Sequence, residues 1–174
     1  MRIENAPNIL TLSRIPLSIL AFFAFLYWDK QAGFLLFLIG FITDWLDGKL
    51  ARKYNCASEF GKLMDPITDK LLVMLAFLAL SIKHIIPLWV VILIALREIY
   101  FTIFRIIKIK QGNAVIPAGI WGKWKTTIQM ITLAIGLFAL TWDTPFLFRP
   151  TFILSFICLF LTYYSAIFIW RAGV

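Results

Sequence analysis

Four of the six aspartates in this chain, Asp44, Asp47, Asp65 and Asp69, fall within the stretch "TDWLDGKLARKYNCASEFGKLMDPITDK", with hydrophobic sequence on both sides. A carboxylate at the centre of an apolar spanning segment costs about 2.5–3.5 kcal/mol, and less near the interface, so such a cluster requires a compensating partner. Asp44 and Asp47 are three apart and Asp65 and Asp69 four apart, which puts each pair on one face of a helix. If those helices pair antiparallel through "KYNCASEF", the two faces converge on an all-oxygen pocket. No His or Cys joins the set, so Mg²⁺, or Mn²⁺ in its place, suits it better than zinc. Four carboxylates can hold two such ions, the arrangement that clamps both sides of a phosphoryl displacement. Gly48, Ala51 and Gly61 leave room for a nucleotide or a facing helix, and Pro66 is expected to start or kink a helix. The competing reading pairs these aspartates with Arg52, Lys53, Lys62 and Lys70 as interfacial salt bridges; the spacing of all four together favours the cation site.

The elements that must carry these residues are apolar helices. The chain has 174 residues, 61% of them hydrophobic, including seven Trp and seventeen Phe, and a mean hydropathy of +0.89. A soluble domain of this size would expose large apolar patches, whereas lipid accepts them. Hydrophobic runs at about 9–28, 33–50, 63–82, 86–106, 121–141 and 149–170 are each near the length that spans a bilayer. The expected fold is therefore all-α, with six transmembrane helices. Breaks fall at "WDKQAG", "KHIIP", "KQGN" and "WDTP". No internal repeat or low-complexity tail interrupts the pattern, and the start lacks the features of a cleavable signal peptide.

Orientation follows from the basic residues. Of seventeen Lys and Arg, fourteen fall on one side of such a topology, leaving Lys30, Lys83 and Arg149 on the other. The positive-inside rule then places both termini and the aspartates at the cytoplasmic face of a multi-pass cell (inner) membrane protein. The formal charge of +8 is accordingly assigned to cytoplasmic loops and anionic membrane lipids, with no nucleic-acid partner. Cys56 and Cys158 have no CxxC partner and are read as unbridged thiols. His84 is placed on the outer side and given no chemistry.

Residues 44 to 69 read D-x2-D-G-x2-A-R-x8-G-x3-D-x3-D, which resembles the signature of the CDP-alcohol phosphotransferases, integral-membrane enzymes that join a CDP-activated lipid to an alcohol and release CMP. Asp44, Asp47, Gly48, Ala51, Arg52, Gly61, Asp65 and Asp69 meet every fixed position. The resemblance implies one transmembrane domain over residues 1–174, six helices, a homodimer and a cytoplasm-facing site. It implies that Asp44, Asp47 and Asp65 hold a Mg²⁺ pair, while Asp69 helps hold one ion and takes the proton from the attacking hydroxyl. By the same resemblance Gly48, Arg52 and Ser58 contact the CDP part of the donor, CDP-diacylglycerol. The helix 1 polar stripe Asn5, Asn8, Thr11 and Arg14 either lies at the headgroup level as an interfacial segment or, as the resemblance implies, brings Asn8 and Thr11 to the cytidine and diphosphate.

Three further stretches, "NAPNILTLSRIPL", "LREIYFTIFR" and "IWGKWKTTIQM", are similar to those of family members that use glycerol 3-phosphate as acceptor. A phosphorylated acceptor asks for cations beyond those serving the donor. Arg97 and Arg105 lie eight apart on helix 4, Lys123 and Lys125 begin helix 5, and Thr126, Thr127 and Gln129 add hydrogen-bonding groups. Snorkelling anchors are the plainer reading of Lys123, Lys125 and Arg105. Glu98 is a possible support for Arg97, although adjacent helix residues are expected to point apart. Other acceptors, such as those of cardiolipin or phosphatidylinositol phosphate synthesis, share the signature. A small cation transporter or channel is the alternative of another class, disfavoured because the acids gather at one face only; aspartate-rich prenyltransferases generally need more helices.

Overall fold

The structure, a computed structural model, describes residues 6–54, 59–110 and 120–171, with side chains described at 13–43, 67–68, 70–104, 106–107 and 120–167. Among the described residues the elements are helical: α1 (Ala6–Phe23), a π-helical turn (Ala24–Trp28), α2 (Lys30–Tyr54), α3 (Glu59–Ile82), α4 (Leu88–Lys110), α5 (Ile120–Thr141), a 3₁₀ turn (Pro145–Leu147) and α6 (Phe148–Arg171). The six expected runs correspond to these six helices. Two segments, Ile120–Thr141 and Pro145–Ile167, are long and apolar enough by length and composition to cross a membrane. The chain divides into two compact units, residues 1–79 and 80–174.

In the first unit, a single extended residue separates the first two helices. Asp29 (φ −142°, ψ 119°) ends the π turn, and its carboxylate then accepts the orphan N–H groups of Gln31 at 3.0 Å and Ala32 at 3.3 Å, acting as an N-cap for α2. The helices close on each other because Gly33 has no side chain: a Cβ there would lie 2.4 Å from the Phe25 Cα. Phe25 and Phe37, both buried, meet edge to face at 6.1 Å beside this contact. Gly40 performs the same service for α3, where a Cβ would lie 3.0 Å from both δ-carbons of Leu72. Helix α3 continues through Pro66 rather than starting there.

The second unit holds two helix ends of related design. At the end of α3 the Ile85 N–H donates to the Leu80 carbonyl at 3.0 Å and the His84 N–H to the Ser81 carbonyl at 2.9 Å, with His84 left-handed at φ 60°. This is a Schellman cap made without glycine. Asp143, at φ 47°, closes α5 similarly, with the Thr144 N–H donating to the Ala139 carbonyl at 2.9 Å.

Helices α5 and α6 pack along a seam of small and polar residues. Thr151, Ser155, Cys158, Thr162 and Ser165 recur every four or three positions on α6, and all are buried; Lys125, Gln129, Thr132 and Gly136 repeat the spacing on α5, buried as well. A Cβ on Gly136 would come within 2.8 Å of the Thr151 Cγ2, and Thr132 Oγ1 meets Cys158 Sγ at 3.2 Å. Small residues on both helices permit this closeness. Helix α4 joins α6 through Trp89 against Phe156, at 5.6 Å between centroids, and through the Tyr163 hydroxyl, which donates to the Leu93 carbonyl at 3.2 Å. Ile92, Leu96, Ile99 and Ile103 on α4, and Ile153, Phe160 and Ile167 on α6, are exposed.

Candidate active site

The aspartate side chains lie outside the described ones, but the helices that carry them are described. Asp44 and Asp47 belong to α2, Asp65 and Asp69 to α3. The Gly40–Leu72 contact fixes a level between these two helices. Counted from that contact, Asp44 and Asp69 lie four and three residues along their helices, and Asp47 and Asp65 seven residues along each.

Of the donor-contacting candidates, Asn8 and Thr11 fall on α1, Gly48 and Arg52 on α2; their side chains, and Ser58 altogether, lie outside what is described. Arg105 falls on α4 with its side chain likewise outside.

Arg97, Glu98 and Lys125, all in the second unit, are brought together in its interior. Each is less than a tenth exposed. The Glu98 Oε1 accepts from Arg97 Nη1 at 3.2 Å and from Lys125 Nζ, so one carboxylate serves two cations. Arg97 Nη2 donates to the Ser165 hydroxyl on α6 at 2.8 Å, and the guanidinium lies over the Phe101 ring at 4.2 Å. Three helices are tied through one polar group. The expectation that Arg97 and Glu98 point apart is corrected: both chains are long and buried, and turn along the interior to meet.

Lys123 and Lys125 separate. Lys125 is buried, whereas Lys123 is exposed, because two residues along a helix turn the side chain to nearly the opposite face. Thr126 and Thr127 are exposed, and their hydroxyls donate to carbonyls of their own helix, Gly122 at 3.1 Å and Lys123 at 3.0 Å. Gln129 instead lies buried on the Lys125 face, 3% exposed. Ser165 and Thr162 were not singled out from sequence; their signal was the four-three spacing of small polar residues within an apolar run.

A sequence model of the CDP-alcohol phosphatidyltransferase family matches residues 4–172. Among curated relatives, a probable phosphatidylglycerophosphate synthase of Mycobacterium tuberculosis (strain H37Rv) is 41% identical over 150 residues, covering 83% of this chain and 70% of that protein. A CDP-diacylglycerol–glycerol-3-phosphate 3-phosphatidyltransferase of Bacillus subtilis (strain 168) is 37% identical over 145 residues, covering 75% of each. The protein of that name in Escherichia coli (strain K12) is 38% identical over 137 residues, again covering 75% of each. With the match running over nearly the whole sequence and across the aspartate signature, the chain belongs to the CDP-alcohol phosphatidyltransferase family.

Proposed function

We propose that this protein transfers the phosphatidyl group of CDP-diacylglycerol to glycerol 3-phosphate, giving phosphatidylglycerophosphate and CMP. The observation that carries the reading is the family match over residues 4–172, which takes in the two helix-spaced aspartate pairs carried by α2 and α3. The names of the relatives support the choice of acceptor.

The oxygen-only donor set of Asp44, Asp47, Asp65 and Asp69 fits hard divalent cations, two Mg²⁺ ions with Mn²⁺ as substitute. Bound there, such ions would neutralise the donor diphosphate and acidify a hydroxyl brought against them. The rest falls to the chain. Arg52 adds positive charge along the diphosphate, Gly48 lets it approach the α2 backbone, and Asn8, Thr11 and Ser58 orient the CDP moiety. Asp69 takes the proton of the acceptor hydroxyl as its oxygen bonds to the lipid-proximal phosphorus. The bond from that phosphorus to the oxygen of CMP then breaks, and CMP leaves. Arg97 and Lys125 hold the phosphate of the acceptor, where the fixed guanidinium fork suits paired phosphate oxygens. Arg105 adds charge nearby, and Lys123, exposed on the other face of α5, serves an anionic headgroup.

In this reading all six helices span the cell membrane as one domain, both termini and the aspartates are cytoplasmic, and the working unit is a homodimer. The exposed aliphatic and aromatic residues of α4 and α6 are then lipid-facing. The test is CMP release by the purified protein with CDP-diacylglycerol while the acceptor alcohol is exchanged. Release with glycerol 3-phosphate is expected; release only with inositol phosphate or phosphatidylglycerol would overturn the acceptor and preserve the reaction.

A further inference from the structure

The α5–α6 seam contains one level at which buried polar atoms face no partner among the described residues. Gly136 meets Thr151 and Thr132 meets Cys158, which sets the antiparallel register. Continuing along the seam, Lys125 is joined through Glu98 and Arg97 to Ser165. Between these two contacts, one turn past Thr132 and one turn past Cys158, stand Gln129 and Thr162. They are 3% and 0% exposed, and among the described residues neither Gln129 Nε2 nor Thr162 Oγ1 has a hydrogen-bond partner. The Thr162 carbonyl is occupied, accepting from Ser165 at 3.0 Å, but its hydroxyl is not. Buried amides and hydroxyls left in this condition are costly, and two at one level beside a cationic group describe a place for a small polyhydroxy anion.

Resting on the reading that glycerol 3-phosphate is the acceptor, we infer that Gln129 and Thr162 recognise its secondary hydroxyl, the one that neither attacks nor carries phosphate. The geometry separates the tasks along α5: Lys125, with Arg97, binds the phosphate, and Gln129, one turn further along the same face, donates its amide to the neighbouring hydroxyl oxygen. Thr162, on the facing helix, accepts from or donates to the same group. Thr126 and Thr127 take no part, since they face outward and are bonded to their own backbone. A site built to bond a hydroxyl discriminates strongly against an analogue without it, because its own buried groups are then stranded.

The test compares two acceptors on one preparation of the full-length protein: glycerol 3-phosphate, and propane-1,3-diol monophosphate, which keeps a primary hydroxyl and the phosphate but lacks the secondary hydroxyl. The ratio of their kcat/KM values cancels the fraction of folded enzyme. The wild type is expected to prefer glycerol 3-phosphate by roughly 10- to 100-fold. In Gln129→Met, close in length but unable to donate, the ratio should fall to within about threefold, with the KM for CDP-diacylglycerol unchanged. Thr162→Val is the second variant and is read alone if the first is inactive. A ratio falling by more than about threefold in either variant supports the inference. A wild-type ratio below about threefold, or one unmoved in both variants, overturns it and leaves the transferase reading intact. Absence of transfer to glycerol 3-phosphate by the wild type would overturn both.

Discussion

Replacing Glu98 by Gln keeps the shape of the side chain and one carbonyl-type acceptor but removes the only acidic charge in the Arg97–Glu98–Lys125 triad. The formal charge of these three residues rises from +1 to +2 in a place where the two side chains of the Arg97–Glu98 pair are 7% and 3% exposed. At 3.2 Å and an effective dielectric near 20, the lost Arg97–Glu98 attraction has a Coulomb magnitude of about 5 kcal/mol, and the loss of the Lys125 attraction adds to it. The desolvation already incurred by the carboxylate is recovered, and the amide oxygen retains one hydrogen bond, so the net cost belongs at the lower end of the range for breaking a buried pair, about 3 kcal/mol. For a chain of this length that corresponds to a fall of about 6–12 °C in Tm. Thermal unfolding in detergent micelles, followed by the fluorescence of the seven tryptophans, reads the shift. A double-mutant cycle with Lys125→Met then isolates the pair: Glu98→Gln/Lys125→Met should be more stable than the sum of the single effects by on the order of 2–3 kcal/mol. A Tm within about 2 °C of wild type for Glu98→Gln, or an additive cycle, would refute the view that this carboxylate is the counter-charge holding α4 to α5.

Gly33→Ala should be strongly destabilising, by about 3 kcal/mol or more, because the new Cβ would meet Phe25 backbone atoms at 2.4 Å, where no side-chain rotation gives relief; a wild-type melting curve would contradict the α1–α2 packing described. Chelation of divalent cations should abolish CMP release without unfolding the helices, and added Mg²⁺ should restore it. Release persisting in excess chelator would remove the metal from the proposed chemistry.

The helices were legible because each is a run of apolar residues near twenty long, and the breaks were legible from turn chemistry. What ends the helices was less so. Asp29 alone separates the first two helical elements because its carboxylate caps α2, and His84 and Asp143 take the left-handed position usually given to glycine. Both are polar residues that bend the chain without announcing it. The aspartates stood out as two helix-spaced pairs, and α2 and α3 do carry one pair each. The shared carboxylate of Glu98 was not legible, because neighbour rules describe exposed helices, whereas burial makes two long chains turn to the same interior. The α5–α6 seam was obscured for a different reason: residues 151, 155, 158, 162 and 165 are small and sit within a strongly apolar helix, so average hydropathy hides their periodicity.

The central claim is that a phosphatidyl group passes to glycerol 3-phosphate at the four aspartates. Its most direct test is incorporation of radiolabelled glycerol 3-phosphate into lipid by the purified protein with CDP-diacylglycerol and Mg²⁺, run beside a folded Asp69→Asn variant. Label should enter the lipid with equimolar CMP release, and Asp69→Asn should lower the rate by roughly 10²–10⁴-fold, the usual worth of a positioned base. Label that stays in the aqueous phase, or enters equally well without the Asp69 carboxylate, would contradict the account.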